Sequence, residues 1–431
     1  MKEHTRDGWY GAPVAVILEC ILAGLGAGGV IGVFRILLGK AGQIRRWVYG
    51  ALPSGPAYAF VLWIGALVLI GLFLGWGSKK FPMIRGSGIP QLKGALSGKL
   101  SLRWTRELPM KVITGILSIG AGLSLGREGP SIQIGSYVGE GILSFFPRKG
   151  EERRFVLLAA SAAGVSAAFN APLAGVFFVV EEMGAQLSPL FLSCAMAAAA
   201  VADGAAGFLG EPVPVFSFRL VTVLPLSRIH WVILLGILCG LLGALFKRSL
   251  YTSLDLYDRL RIPPILRPVI PLLASVPLAF FLSDVTGGGQ ELIESLAETP
   301  RALPALGILL GAKLLFTALC YGSGTSGGIF LPFLSCGALT GVALGTVLAL
   351  GGITAPSECL NFLVLGMAAF FTAVVGAPLT GIVLILEMAA NFNHLGNLIV
   401  TCFFSFLTVN LMGSMPVYHV LLERLTGGQH E

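Results

Sequence analysis

The sequence predicts an all-α bundle of membrane-spanning helices, and three observations carry that prediction. Charged residues make up only 12% of the 431-residue chain, about half the share of a soluble domain. Mean hydropathy is high, at +0.85. Apolar runs that reach or approach the ~18 residues of a spanning helix recur at 57–76, 189–202 with its flanks, 231–246, 268–283 and 303–320. Longer glycine-rich runs cover 12–39, 154–180 and 327–355. All are continuous rather than alternating, and in hydrocarbon only helices or closed barrels satisfy the backbone. Helices follow.

At the N-terminus, MKEHTRDGWYG mixes both signs of charge and no small-residue cleavage site follows the next apolar run. Residues 12–37 therefore read as a retained first helix rather than a signal peptide. Lysine and arginine gather in short loops: Lys40–Arg46, Lys79–Arg85, Arg148–Arg154, Lys247–Arg248 and Arg259–Arg267. Such clusters anchor helix ends at the interface. They account for the net charge of +7 without nucleic acid, but they flank both ends of the second run and leave orientation open. The seven cysteines are scattered and form no C-x-x-C, so neither a disulfide framework nor a metal site is expected, and no cofactor is.

The chain repeats itself. NAPLAGVFFVVEEM (170–183) matches GAPLTGIVLILEM (376–388), and Pro130-SIQI-Gly135-SYV-Gly139 matches Pro332-FLSC-Gly337-ALT-Gly341. Two blocks in the same order predict two homologous halves, roughly 1–215 and 216–431, within one transmembrane domain. Duplicated halves are the common plan of secondary transporters, whose substrates bind where broken helices meet.

Four stretches carry the breaks: RGSGIP (85–90), GREGP (126–130), GGIFLP (327–332) and SMPVYH (414–419). Proline suits the first turn of a helix, so each reads as a loop feeding a helix start at membrane depth. Helix starts present unpaired N–H groups and about half a positive charge, which favours an anion. Several such ends aimed at one point would hold an anion without a full countercharge, and so could release it. Gly322, Gly324 and Gly327 also fit G-x-G-x-x-G, but nothing charged occurs from 314 to 357, so the dinucleotide reading fails.

Acids within apolar runs are functional candidates. Glu128 lies inside a helix-start anion site: ionised, its carboxylate could occupy the ligand's place, and protonated it would leave. The alternative for it is a salt bridge, for example to Arg127. Glu181 aligns with Glu387 in the repeat, which points to a structural role common to both halves; Glu182 aligns with Met388 and is the better functional candidate. Glu19 and Lys313 are expected to be paired structurally or to snorkel.

GSGIP (Gly86, Ser87, Gly88, Ile89, Pro90), GREGP (Gly126, Arg127, Glu128, Gly129, Pro130), GIFLP (Gly328, Ile329, Phe330, Leu331, Pro332) and Tyr418 together resemble the signature of the CLC family of chloride channels and proton/chloride antiporters. The resemblance implies an inverted repeat of about eighteen tilted, partly non-spanning helices and a homodimer with one pore per subunit. It implies chloride bound by the Ser87 hydroxyl, the Tyr418 phenol and the backbone N–H groups of Ile329 and Phe330. Glu128 matches the external gate and Glu182 the internal proton acceptor of the antiporters, so chloride/proton antiport is expected ahead of a passive chloride channel. Ser87 with Tyr418 speaks against the fluoride branch, and Ser87 favours chloride over nitrate. Gln91 and Lys93 depart from the family, which has acids there in many or some members. Thirteen residues follow Tyr418, so the regulatory domains of eukaryotic members are not expected, and a bacterial inner membrane is. A remote reading is an intramembrane hydrolase using Ser323 or Ser326, but histidines 4, 230, 394, 419 and 430 all lie at segment ends or tails. No enzyme is expected.

Overall fold

A computed structural model describes residues 7–210, 216, 218, 224–390 and 392–427. Among them are seventeen α-helices joined by loops and short 3-10 turns, with isolated bridges in place of strands. The first half holds α1 (Asp7–Ala51), α2 (Ala57–Lys80), α3 (Ile89–Leu96), α4 (Trp104–Gly120), α5 (Glu128–Phe145), α6 (Gly150–Phe169), α7 (Pro172–Glu181) and α8 (Pro189–Phe208). The second holds α9 (Ile229–Arg259), α10 (Val269–Phe281), α11 (Gln290–Glu298), α12 (Leu303–Gly322), α13 (Phe330–Leu350), α14 (Cys359–Val375), α15 (Pro378–Met388), α16 (Leu395–Leu411) and α17 (Val417–Thr426).

Seven of these helices are long and apolar enough to cross a membrane. Large apolar side chains such as Leu18, Leu22, Leu25, Val61, Leu62, Leu69 and Phe403 stand exposed along them, as lipid-facing residues do. The chain is an integral membrane protein. The first helix is longer than the 12–37 read from the sequence. It runs 45 residues, from Asp7 to Ala51, because its lysine and arginine cluster at 40–46 ends the apolar stripe without ending the helix. The stop comes where Pro53 enters the next turn.

Helix pairs pack backbone to backbone, and the pairs that carry the two repeat blocks do so at glycines. A Cβ at Gly135 would lie 2.2 Å from the Ala160 carbonyl oxygen, and one at Gly164 2.5 Å from that of Ser131, which locks α5 onto α6. In the second half a Cβ at Gly337 would lie 2.4 Å from the Gly366 oxygen, and one at Gly341 1.9 Å from that of Phe362, which locks α13 onto α14. The P-x4-G-x3-G spacing shared by the repeat blocks is thus a close-packing face, and small residues are what allow helices to associate in lipid. α5, α6, α13 and α14 are buried along most of their length and form the centre.

Gly341→Ala is expected to cut the yield of monodisperse detergent-extracted protein severely, since overpacking against a backbone oxygen allows no rotamer escape. Gly307→Ala, where a Cβ meets nothing within 4 Å, should match the parent on the same size-exclusion assay.

Candidate functional site

Three of the four sequence breaks meet at the centre. The Gly86 N–H donates to the Thr325 carbonyl (2.9 Å) and the Gly327 N–H to that of Gly86 (3.0 Å). Gly126 and Gly328 exchange N–H···O bonds of 2.7 and 2.8 Å. The loop before α13 therefore lies between the loops before α3 and α5 and is stitched to both. Side chains are excluded at the joins: a Cβ at Gly129 would meet Ser87 at 2.7 Å, and Gly88 has φ +86 with Gln133 filling the space beside it.

Buried cations fold these loops. Lys111 on α4 is fully buried, and its ammonium donates to the carbonyls of Ile84 (2.9 Å) and Gly86 (2.8 Å). The carbonyl of Gly86 and the N–H of Ser87 belong to one trans peptide and point in opposite directions. Holding the oxygen back thus turns the Ser87 N–H to the opposite side, where the Tyr321 phenol lies. Lys247 on α9 does the same for the loop before α17, donating to Ser414 (3.1 Å) and Met415 (3.0 Å) carbonyls.

Each sequence-predicted residue can now be located. Ser87, Ile89, Ile329, Phe330 and Tyr418 are completely buried and Glu128 nearly so, at 1% exposure. Gly86 to Pro90 carry the chain into α3, Gly126 to Pro130 into α5, and Gly328 to Pro332 into α13. The first N–H groups of α13, from Phe330 on, have no intrahelical acceptor, and Ile329 precedes them as the N-cap. The Phe330 ring is fixed by Phe169 and Phe371, each with centroids 4.9 Å away. The Tyr418 hydroxyl is buried without a hydrogen-bond partner, as is one carboxylate oxygen of Glu128. Tyr418 lies within electrostatic reach of both Glu128 and Glu182. The Glu128 carboxylate faces the Leu331 N–H, and Arg127 acts on it by charge rather than by a direct hydrogen bond. A cavity of about 310 Å³ opens above it, lined by Arg45, Arg46, Arg127, Glu128 and Gly288 among others.

The remaining acids separate by role. Glu181 accepts from the N–H groups of Leu379 (3.0 Å) and Thr380 (2.6 Å) at the start of α15. Glu387 accepts from those of Leu173 (3.0 Å) and Ala174 (2.7 Å) at the start of α7. The last residue or two of each helix caps the first turn of the other, a reciprocal contact that relates α7 and α15 by a local twofold. Glu19 is paired with Arg148 (2.6 Å), and Asp203 accepts from Asn170 (3.2 Å). Glu182 stands apart, with a side chain 5% exposed and the Lys93 ammonium 2.6 Å from it.

Lys313, expected from the sequence to be paired structurally or to snorkel, is paired: on α12 it donates to the carbonyls of Val285 (3.0 Å) and Gly287 (2.9 Å), which makes it the counterpart of Lys111. Sequence reasoning missed other participants. The loop that Lys313 folds, TGGGQ at 286–290, is the counterpart of RGSGI at 85–89, and both enter a helix through a left-handed glycine, Gly289 and Gly88. Without a proline this loop gave no break signal; the glycine run was the available clue. The Tyr321 phenol, against Gly86 and Ser87, was also missed.

Buried helix starts beside the unpartnered Tyr418 hydroxyl, in a membrane bundle, define an anion-transport protein. The chain belongs to the voltage gated chloride channel family, whose model matches residues 70–410. It is 34% identical to the H(+)/Cl(-) exchange transporter ClcA of Citrobacter koseri, over 97% of this chain and 90% of that one. The crystal structure of a slow cyanobacterial Cl-/H+ antiporter superposes with a TM-score of 0.91 at 32% identity, over 96% of this chain and 99% of the other. A CLC-type fluoride/proton antiporter shares the fold, with a TM-score of 0.76 at 22% identity, over 94% and 97% of the two chains.

Glu181→Gln and Glu387→Gln each replace a carboxylate acceptor of two N–H groups by a neutral one. Bonds to charged groups contribute about 1.5–3 kcal/mol, so both variants should lower the thermal unfolding midpoint in detergent, and by similar amounts. An unchanged midpoint in either would contradict the reciprocal-cap account.

Proposed function

We propose that the chain exchanges chloride for protons across a bacterial inner membrane, as a homodimer with a separate pore in each subunit. It is a single transport domain of two inverted halves, and it works in the lipid bilayer without nucleic acid. The observation that carries this reading is the pair of buried acids, Glu128 and Glu182, both within electrostatic reach of the Tyr418 phenol. An acid on each side of the anion gives a proton two acceptors along its path, which a passive channel does not require.

The chemistry follows from the groups present. Chloride is held by the Ser87 and Tyr418 hydroxyls and the Ile329 and Phe330 N–H groups. All are dipoles rather than full charges, so binding in the dehydrated centre stays weak enough for release. Lys111 contributes through the peptide it orients. The ionised Glu128 carboxylate is itself an anion at the start of α5 and occupies the outer end of the same row of N–H groups. A proton cancels its charge and its claim on those groups, and chloride takes its place. That proton then passes inward to Glu182, which hands it on as chloride leaves on the outer side. Arg127, Arg45 and Arg46 line the outer cavity and raise the local anion concentration there.

The passive-channel alternative has less support: the relatives that align with nearly the whole of this chain are named an exchange transporter and an antiporter. The hydrolase reading has none. The Ser323 hydroxyl, for one, donates to the carbonyl of Cys320, three residues back in its own chain. The chain is a transporter and not an enzyme.

Purified protein in planar bilayers, with equal chloride on both sides and a tenfold proton gradient, should show a reversal potential displaced from zero. A potential that ignores pH would leave only the channel. Glu128→Gln, which can be neither ionised nor protonated, should still pass chloride while the pH-dependent displacement disappears; persistent proton pumping would contradict the gate role of Glu128.

A further inference from the structure

The pairing of Glu182 is unlike that of three other acids of the bundle. Glu19, Glu181 and Glu387 are tied down by two or more hydrogen bonds each, in the arginine and helix-start arrangements described above. Glu182 has one charged partner, the Lys93 ammonium at 2.6 Å. Lys93 comes from α3, the short helix that Gly86 to Pro90 lead into, and its side chain is 21% exposed against 5% for Glu182. The lysine therefore stands between water and the carboxylate. A proton approaching Glu182 from that side meets a positive charge first, and the carboxylate it seeks is already neutralised.

We propose that Lys93 is a positioning residue for the proton step: its ammonium, 2.6 Å away, favours the charged form of Glu182 against the cost of burial and turns it towards α3, and each proton loaded at Glu182 must part this pair. The proposal rests on the reading of Glu182 as a proton acceptor and adds what controls its loading. The same contact ties proton loading to the anion site, because Lys93 lies one turn of α3 beyond Ile89, and the Ile89 N–H donates to the Ser87 hydroxyl oxygen. Parting the pair frees α3 at the end opposite its anion-facing start.

Other charges around Glu182 are accounted for. Glu181, its neighbour, acts on it by charge but has its own carboxylate taken up by the start of α15. Arg154 on α6 donates to the Gly184 carbonyl. On α17, which packs on α3, His419 pairs with Glu423 (3.4 Å) and Arg424 with Asp255 (2.7 Å). Tyr418 faces Glu182 as a neutral phenol and Glu387 caps α7 from α15. Lys93 is thus the cation in direct contact with Glu182 among the described residues.

The test uses full-length protein in liposomes, measuring chloride-driven proton movement as the pH on the Glu182 side is varied, with chloride efflux recorded in parallel. An opposite charge at contact displaces a carboxylate's titration by about one to three pH units. Lys93→Met should therefore move the proton-transport profile towards alkaline pH by at least one unit, a tenfold change in proton concentration. Lys93→Gln, which keeps a donor to Glu182 without the charge, should move it the same way, so a folding defect of the methionine variant does not decide the matter. Lys93→Arg should restore the parent profile. Overturning results are a Lys93→Gln profile that superimposes on the parent's, or a Lys93→Arg profile displaced as far as that of Lys93→Gln. Glu182→Gln keeps the two ideas apart: if it still moves protons, the acceptor role itself fails, whatever Lys93 does. If it stops them while the Lys93 variants leave the profile in place, only the present inference falls.

Discussion

Everything at this site depends on the double stitch between three loops, Gly86 with Thr325 and Gly327, and Gly126 with Gly328. A membrane interior supplies no water to satisfy backbone groups, and irregular chain survives there only when it is buried in protein or lines a cavity. The three loops meet this constraint by pairing with one another. The pairing uses up their inner N–H and carbonyl groups and leaves the helix starts beyond them pointing inward. The anion binding proposed for this centre would in this sense use what remains once the backbone has been satisfied.

The same constraint explains the buried lysines. Lys111, Lys247 and Lys313 each place an ammonium on two carbonyls of a loop that precedes a helix. An unpaired buried ammonium is costly, and two carbonyl oxygens with partial negative charge offset much of that cost while fixing the loop. These cations serve structure: they bind carbonyl oxygens and so fix the orientation of the peptides that lead into the helices. A substitution such as Lys111→Met would loosen the loop before α3 without removing any group of the proposed anion site.

Much of this was legible in the sequence, and the reasons are physical. Glycine and proline in apolar surroundings have few uses, so GSGIP, GREGP and GIFLP announced themselves as helix starts at depth. The repeat announced the shared role of Glu181 and Glu387 because two acids at one register, each ending an apolar helix, had to be satisfied alike. What was hidden were contacts without a local signature. The backbone stitches join segments about 200 residues apart or more through atoms every residue has. The Lys93 and Glu182 pair joins α3 to the end of α7 across 89 residues, and nothing in either sequence neighbourhood names the other. The TGGGQ loop lacked the proline that marked its counterpart. α1 outruns residues 12–37 because its basic cluster at 40–46 lies within the helix, where hydropathy falls but helical backbone continues.

Proton coupling follows if an anion and the Glu128 carboxylate compete for one row of N–H groups. Competition can be observed directly. Crystals grown in bromide, with anomalous scattering recorded, should show a bromide bounded by Ser87, Tyr418, Ile329 and Phe330 in the parent protein. Glu128→Gln should add a second bromide where the parent's carboxylate stood, at the start of α5. Identical bromide density in the two proteins, with the side chain at 128 in the same position in both, would contradict the account.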